Sequence, residues 1–252
     1  MKKYWNKFTD KFGNTILHPQ FIMLSYTKVA VKEIVKYSSN KILIDIGCGR
    51  MPYRDIIEPL TKKYVGLDSP KISKLYDGKF KPDILADITK KTSIKNKEFN
   101  IAMMLEVLEY LKNPQNAFNE ISRILENNGV LIITTPFLYP LHDLPYDRNR
   151  FTNTQLKTFL TNSKFKIKKI KPQGNFLSFW FQSLNIFLLK RIMDILKSPK
   201  NIFSLIYLIF LLIITPIIVL FTNSVFVLTK DFKLLKYPNY FPLDYLIVAI
   251  KS

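Results

Sequence analysis

Cysteine is nearly absent from this 252-residue chain. Cys48 stands alone, which excludes an intrachain disulfide and any multi-cysteine zinc site, and a reducing compartment fits. The basic opening MKKYWNKFTDKFGNT lacks the continuous apolar core of a secretory signal, so no cleaved export signal is expected; the expected location is cytoplasmic, peripheral or monotopic at the cytoplasmic membrane. No arginine-rich tract interleaved with aromatics marks an RNA groove. No internal repeat, low-complexity segment or metal site is evident either. Acids are scarce, 19 against 38 lysines and arginines, a formal charge of +19. That excess suits an anionic partner such as nucleic acid, a phospholipid surface or a phosphorylated substrate. The lysines are nonetheless scattered, as a general compositional bias would leave them.

What is present reads as one α/β domain with an elaboration rather than two full domains. Residues 20–37 place Ile22, Tyr26, Val29, Ile34 and Tyr37 near helical spacing, an amphipathic helix that covers the core. From 41 to 135 the runs ILIDI, YVGL, DILA, FNIAMM and GVLIITT read as strands, with PYRDIIEPLTKK and PQNAFNEISRILEN as helices between them. This alternation predicts a parallel sheet covered on both faces. Asn113-Pro114 starts the second of those helices, and Asn127-Asn128-Gly129 is expected to end it.

The first strand ends in IGCGRMP. Gly47 and Gly49 have no Cβ, so a ligand can approach the backbone there, and Asp68 ends the next strand 21 residues after Gly47, where a carboxylate can accept both hydroxyls of a ribose. A dinucleotide fingerprint would have a third glycine at position 52, where Pro52 stands. Asp45, two residues before the first glycine, repels a diphosphate and suits a cationic group. The turn therefore favours a nucleoside with a zwitterionic tail, the shape of S-adenosylmethionine.

DIGCGRMPYR, YVGLD, the ADI of DILADITK and FNIAMMLEVLEYLKNPQNAFNEISRILENNGVLIITTP occur in an order and spacing that resemble the class I S-adenosylmethionine-dependent methyltransferases, in the subgroup often labelled type 11. The resemblance covers residues 41–172 and the last strand. It implies a Rossmann-like α/β fold with a mostly parallel seven-stranded sheet and an antiparallel last strand. By position it also implies that Asp45, Gly47, Cys48 and Gly49 surround the methionine part of the cofactor, that Asp68 binds the ribose, and that Asp87 and Ile88 lie beside the adenine. Met103, Met104 and Leu105 would end the fourth strand under the cofactor. For Asp87 a helix cap, and for Met103 and Met104 simple core packing, are the competing accounts. Two departures stand out: Asn100 replaces the acid common at the start of strand four, a structural change, and Tyr110 replaces a frequent histidine after Leu108 and Glu109, which bears on acceptor chemistry.

The polar, proline-rich loop PFLYPLHDLPYDRNRFT, residues 136–152, follows strand five at the carboxyl end of the sheet, where open α/β sheets bind ligands. It resembles a segment in a branch of these methyltransferases encoded with cell-surface polysaccharide genes. His142 is the first candidate for general base because it titrates near neutral pH, with a loop-fixing hydrogen bond as the alternative. Tyr110 and Asp147 come next as catalytic candidates. Asp143 and Asp147 suit orienting that histidine or binding a sugar hydroxyl, and Arg148 and Arg150 suit a phosphate or sugar acid, each against a loop-stabilising ion pair. His18 receives no role.

Residues 176–189 and 202–221 are apolar runs separated by KRIMDILKSPKN, which reads as a turn at Ser198-Pro199. The second run is long enough to cross a bilayer. FKIKKIK (165–171) and DYLIVAIK (244–251) resemble strands six and seven of the family, so a single crossing between them would strand the last one. A helical hairpin lying in one leaflet or at the interface is expected, with Pro216 allowing a bend; packing on the domain or in a dimer is the alternative. The organisation expected is a basic segment and helix (1–40), the methyltransferase core (41–172), an apolar, membrane-associating insertion (173–236) and the final core strand (237–252). The reading is methyl transfer to an oxygen of a small or lipid-linked acceptor, a glycan or glycolipid intermediate. A quinone or lipid methyltransferase, an RNA methyltransferase and a non-catalytic membrane scaffold are the alternatives.

Overall fold

A computed structural model describes residues 2–74, 79–198, 201–230 and 240–252, with side chains from residue 7 onward. The order is α1 (Lys2–Phe12), α2 (Phe21–Ser38), β1 (Ile42–Ile46), α3 (Arg54–Ile57), β2 (Lys63–Asp68), α4 (Pro70–Ser73), β3 (Ile84–Leu85), β4 (Phe99–Leu105), α5 (Pro114–Ile124), β5 (Leu125–Pro136), α6 (Asn153–Asn162), β6 (Phe165–Gln173), α7 (Phe176–Lys197), α8 (Ile202–Thr229) and β7 (Asp244–Lys251). The seven strands form one sheet in the order β3-β2-β1-β4-β5-β7-β6. The pairs from β3 to β5 are parallel. β7 runs antiparallel to β5, with Pro136 opposite Asp244 and Val130 opposite Ile250. Leu243 N donates to Gln173 O, and Ser252 N to Lys164 O, which joins the start of β7 to the end of β6 and makes that pair antiparallel too. This is the fold the motifs predict, with the helical insertion between the sixth and seventh strands.

The described chain divides into two compact units. One comprises residues 27–137, 141–172 and 244–252. Its sheet is apolar on both faces because alternate side chains point opposite ways. Ile44, Met104 and Ile133 face Phe118 and Ile121 of α5 and Leu156 and Leu160 of α6. Leu43, Met103 and Ile132 face Ala30, Val31 and Ile34 of α2. Asn100, replacing the common acid, accepts from Ile42 N at 2.8 Å and so ties β1 to β4.

Two sequence expectations change in this unit. The helix expected over PYRDIIEPLTKK is only α3 followed by a 3-10 turn at Glu58–Leu60, because Pro59 brings no N–H and its ring obstructs a continuing α-helical turn. Asn127-Asn128-Gly129 does not cap α5, which stops at Ile124. Leu125, fully buried, already pairs with Phe99, and the chain detours through Asn128 at φ 64° before Val130 resumes pairing with Ile101.

The other unit comprises residues 1–26, 138–140 and 173–243. Asn175 caps α7 by accepting from Ser178 N, and Asn201 with Ser204 forms a capping box on α8. α7 runs on to Lys197, so the turn expected over residues 190–201 narrows to the last few; Pro199 in that turn, and the expected boundary at 236, lie outside the described residues. α8 is 28 residues, about 42 Å at helical rise, and is helical through Pro216. It is long and apolar enough to cross a membrane, yet only 17% of its most apolar stretch is buried. The buried positions Leu211, Thr215, Val219, Thr222 and Phe226 form one stripe along the helix; Phe203, Ile206, Phe210, Ile213 and Phe221 stand exposed. Polar bonds fix the stripe. Asn223 Nδ2 donates to the carbonyls of Ile16 and His18, Thr222 Oγ1 and Asn223 Oδ1 engage Asn185 of α7, and Gln182 joins Met23 N and Pro19 O. His18 has a structural place here. Its Nδ1 accepts from Gln20 N and Nε2 lies 3.1 Å from Thr9 Oγ1, and burial pushes its pKa down to about 4.

Candidate active site

The turn after β1 is held open by backbone conformation and by β2. Gly47 and Gly49 take φ of +69° and +49°, a region an L side chain enters only at a cost. A Cβ on Gly47 would lie 2.5 Å and 2.7 Å from the two methyl carbons of Val107. Gly47 N and Cys48 N donate to Leu67 O at 2.8 and 3.1 Å, so the end of β2 shapes the turn. Asp68 completes it: Oδ2 accepts from Gly49 N at 3.0 Å and Oδ1 from Ser69 N at 2.7 Å. The structure thus brings Asp45, Gly47, Gly49 and Asp68 together. Cys48 is buried, and burial followed by the charges of Asp45 and Asp68 pushes its thiol pKa far up.

Asp45 is 6% exposed and receives the Tyr64 hydroxyl at 2.5 Å. Burial raises its pKa to about 7, Tyr64 opposes the rise, Asp68 adds to it and Arg54 opposes it. Burial also raises Asp68, against the backbone donors of Ser69 and Gly49. Arg54 stacks over Tyr64 and Phe80 at 5.2 and 4.7 Å and pairs with Glu58. Asp87 is exposed, with Oδ1 accepting from the backbone and hydroxyl of Thr89, and the Ile88 side chain packs in the core. Met103 and Met104 are core on opposite faces of the sheet, and Leu105 is half-buried.

A second group of titratable side chains gathers at the carboxyl ends of β4 and β5. Asp147 is its anchor. Arg150 donates to both carboxylate oxygens, at 2.5 and 2.8 Å. His142 backbone N donates to Oδ2 at 2.9 Å, and His142 Nδ1 lies 3.1 Å from the same oxygen. Burial alone would raise the Asp147 pKa; these partners outweigh it and hold the carboxyl below its usual range. His142 Nε2 faces Glu109 Oε1 at 3.9 Å, and its ring meets the Tyr110 ring edge-on at 5.7 Å. Tyr110 OH donates to Asp143 at 3.2 Å. The loop is also laced to the turn after β4, since Arg148 N, Asn149 N and Asn149 Nδ2 all donate to Glu109 O. The Arg148 side chain is exposed.

Sequence reasoning passed over three acids here. Glu109 is fully buried and, among the described residues, neither carboxyl oxygen has a hydrogen-bond partner; burial, then the Glu106 charge, push its pKa well up. Glu106, in a left-handed backbone at φ 55°, has a pKa raised to about 7 by burial. Asp244 is fully buried, accepts from Thr135 N, and is likewise raised by burial first. A signal existed in the LEVLEY run, whose two acids at i, i+3 share a helical face next to an apolar strand. Periodicity alone assigns such acids to solvent. Among the described residues, no group of three or more His, Cys, Asp or Glu is arranged to hold a metal ion.

A family profile described as a methyltransferase domain matches residues 25–167, more than half of the chain. No curated protein matches the sequence. Among solved structures, a SAM-dependent methyltransferase from Archaeoglobus fulgidus aligns with a TM-score of 0.56 at 17% identity, over 98% of this chain and 100% of that one. An S-adenosylmethionine-dependent methyltransferase from Mesorhizobium loti aligns with a TM-score of 0.53 at 13% identity, over 88% and 96%.

The residues fit S-adenosylmethionine. Asp45 and Asp68 are buried without an ion pair among the described residues, a state that burial makes costly unless donors or a cation compensate. Ribose hydroxyls and the ammonium and sulfonium charges of this cofactor would supply both. The chain belongs to the class I S-adenosylmethionine-dependent methyltransferases.

Proposed function

We propose that this methyltransferase acts on an oxygen of a glycan, glycolipid or other lipid-linked intermediate at a membrane surface. The observation that carries the membrane half is α8, a 28-residue apolar helix packed along one stripe and exposed over the rest. A helix apolar on every side is ordinarily buried in something, and among the described residues little protein covers this one. Both ends of the α7–α8 hairpin return to one sheet, β6 entering and β7 leaving, so the hairpin lies in one leaflet or along the interface instead of crossing. Lys197 and Lys230 at the helix ends suit anionic headgroups.

The cofactor supplies an electrophilic methyl group on a sulfonium, and the protein's task is to align the acceptor with it, exclude water and take the acceptor's proton. His142 takes that proton. Ionised Asp147 can only accept, so in the neutral imidazole Nδ1 carries hydrogen and Nε2 presents its lone pair. Arg150 keeps Asp147 ionised and fixes the ring through it. Tyr110 and Asp143 close the other side of the imidazole, and Asp45, Gly47, Cys48, Gly49, Asp68, Asp87, Ile88, Met104 and Leu105 serve the cofactor. Arg148, exposed on the same loop, suits an acidic or phosphorylated part of the acceptor.

Two measurements test this. Radiolabelled methyl transfer into a membrane lipid extract is expected to put the label in the organic phase and to fall roughly 10²–10⁴-fold in His142→Ala with cofactor affinity kept; label appearing only in nuclease-sensitive material refutes the acceptor class. The intact chain is expected to stay with membranes through a high-salt, alkaline wash and to be released by deletion of residues 176–230. Recovery of the intact chain as a detergent-free soluble monomer refutes the membrane hairpin.

A further inference from the structure

A cavity of about 410 Å³ opens on α7, lined by Ser183, Ile186, Phe187, Lys190, Arg191 and Asp194, with Pro140 as the loop's contribution. The α7 positions run i, i+3, i+4, i+7, i+8, i+11, so they form one stripe down the helix. The stripe is graded. It begins with a hydroxyl and two large apolar side chains and ends with two cations and one acid, Arg191 Nη2 donating to Asp194 Oδ2 at 3.2 Å. Ser183 Oγ is buried with no hydrogen-bond partner among the described residues, an unusual state for a hydroxyl that would ordinarily find an acceptor. None of the residues of the glycine turn or of the His142 group lines this cavity.

The chemistry of that lining selects a ligand. Two cations against one acid favour an anion, and a guanidinium with a hydroxyl and an ammonium is a set that phosphate oxygens satisfy. The volume lies in the range of small-molecule sites, 300–1,000 Å³, and exceeds what a lone phosphate fills. The Ile186, Phe187 and Pro140 wall has no use for an ion but suits the first carbons of an apolar tail. We propose that the cavity holds the phosphate head of a lipid phosphate, its oxygens on Ser183, Lys190 and Arg191 and the first carbons of its tail on Ile186, Phe187 and Pro140. The proposal rests on the membrane-hairpin reading and sharpens it: the hairpin recognises a lipid phosphate on α7, through residues separate from those that hold the cofactor.

The test uses the full-length chain in zwitterionic detergent, titrated calorimetrically with farnesyl phosphate, with farnesol and inorganic phosphate as controls and S-adenosylmethionine binding measured alongside. Farnesyl phosphate is expected to bind at least about tenfold more tightly than either control, the loss corresponding to one or two charge-assisted hydrogen bonds. Lys190→Ala with Arg191→Ala is expected to remove that advantage, and Ser183→Val to weaken binding roughly threefold, both with cofactor affinity unchanged, which certifies the fold. Equal affinity for farnesol refutes the phosphate contact, equal affinity for inorganic phosphate refutes the tail contact, and an unaffected double variant refutes the site. Sedimentation with neutral phosphatidylcholine vesicles separates the two readings. A chain that sediments but ignores farnesyl phosphate overturns the cavity assignment alone, and one that binds farnesyl phosphate without sedimenting overturns the hairpin alone.

Discussion

Gly47→Ala probes the turn most directly, because its cost has two separable parts. An L residue in the left-handed region loses about 1–2 kcal/mol. A Cβ at 2.5 and 2.7 Å from the two Val107 methyl carbons must push a stiff, β-branched side chain aside, an overpacking cost of about 1–3 kcal/mol. The sum, roughly 2–5 kcal/mol, corresponds to a melting-temperature loss of roughly 4–20 °C for a chain of this size. Val107→Ala removes both clashing carbons and leaves φ untouched. In a four-protein cycle of wild type, each single variant and the double, the coupling between the two positions is expected to equal the overpacking share, about 1–3 kcal/mol of recovered stability. Thermal melts in one detergent supply the stabilities, and calorimetry with S-adenosylmethionine shows whether the repacked turn regains cofactor. Additive effects with no coupling would refute the packing argument. A Gly47→Ala protein that melts and binds like the wild type would refute both parts.

Asp68→Ala is expected to weaken cofactor binding at least about tenfold, since each charge-assisted hydrogen bond contributes roughly 1.5–3 kcal/mol, and it also leaves Gly49 N without its acceptor; a folded variant of undiminished affinity would remove Asp68 from the site. His18 has a pKa lowered by burial to about 4 from 6.5, so it is neutral in both states only above about pH 7.5, where it contributes no pH dependence. As pH falls from 6.5 toward 4 the unfolded chain gains a proton that the folded chain refuses, and up to about 3 kcal/mol of stability is lost. The melting temperature of His18→Gln, plotted against pH, is expected to be flatter than that of the wild type across this window; parallel curves would refute the assignment. Asn223→Leu breaks the bonds to Asn185 and to the Ile16 and His18 carbonyls, and leaving those groups buried without partners is expected to cost about 1–3 kcal/mol, read as a lower denaturant midpoint.

The strands were legible because their apolar runs have hard ends. ILIDI stops at Gly47 and DYLIVAIK starts after Pro242-Leu243, and β1 and β7 occupy those same residues. The helix over 52–63 was overread because its apolar spacing continues past Pro59, where sterics decide the outcome. In the site, spacing disclosed the glycine turn and two acids on successive strands, Asp45 within one and Asp68 closing the next. It could not disclose that Tyr64 reaches Asp45, nor that Asp244 lies opposite Pro136, because antiparallel return over more than a hundred residues is a matter of topology. Glu106 and Glu109 escaped notice for a different reason. An acid beside an apolar run reads as surface, and only the packing of β5 and the following loop reveals its burial.

Cys48 has a practical consequence. It is the chain's single thiol, buried at 4% exposure beside Met51 and Gly66, and its surroundings suppress the thiolate that alkylating reagents require. The wild-type chain is therefore chemically silent toward maleimides while folded. A cysteine placed at an exposed position of α8, such as Phe210 or Ile213, would be the sole reactive site without any background substitution, so spin labels or fluorophores can be walked along the helix one residue at a time and its depth in a bilayer read as a periodic signal.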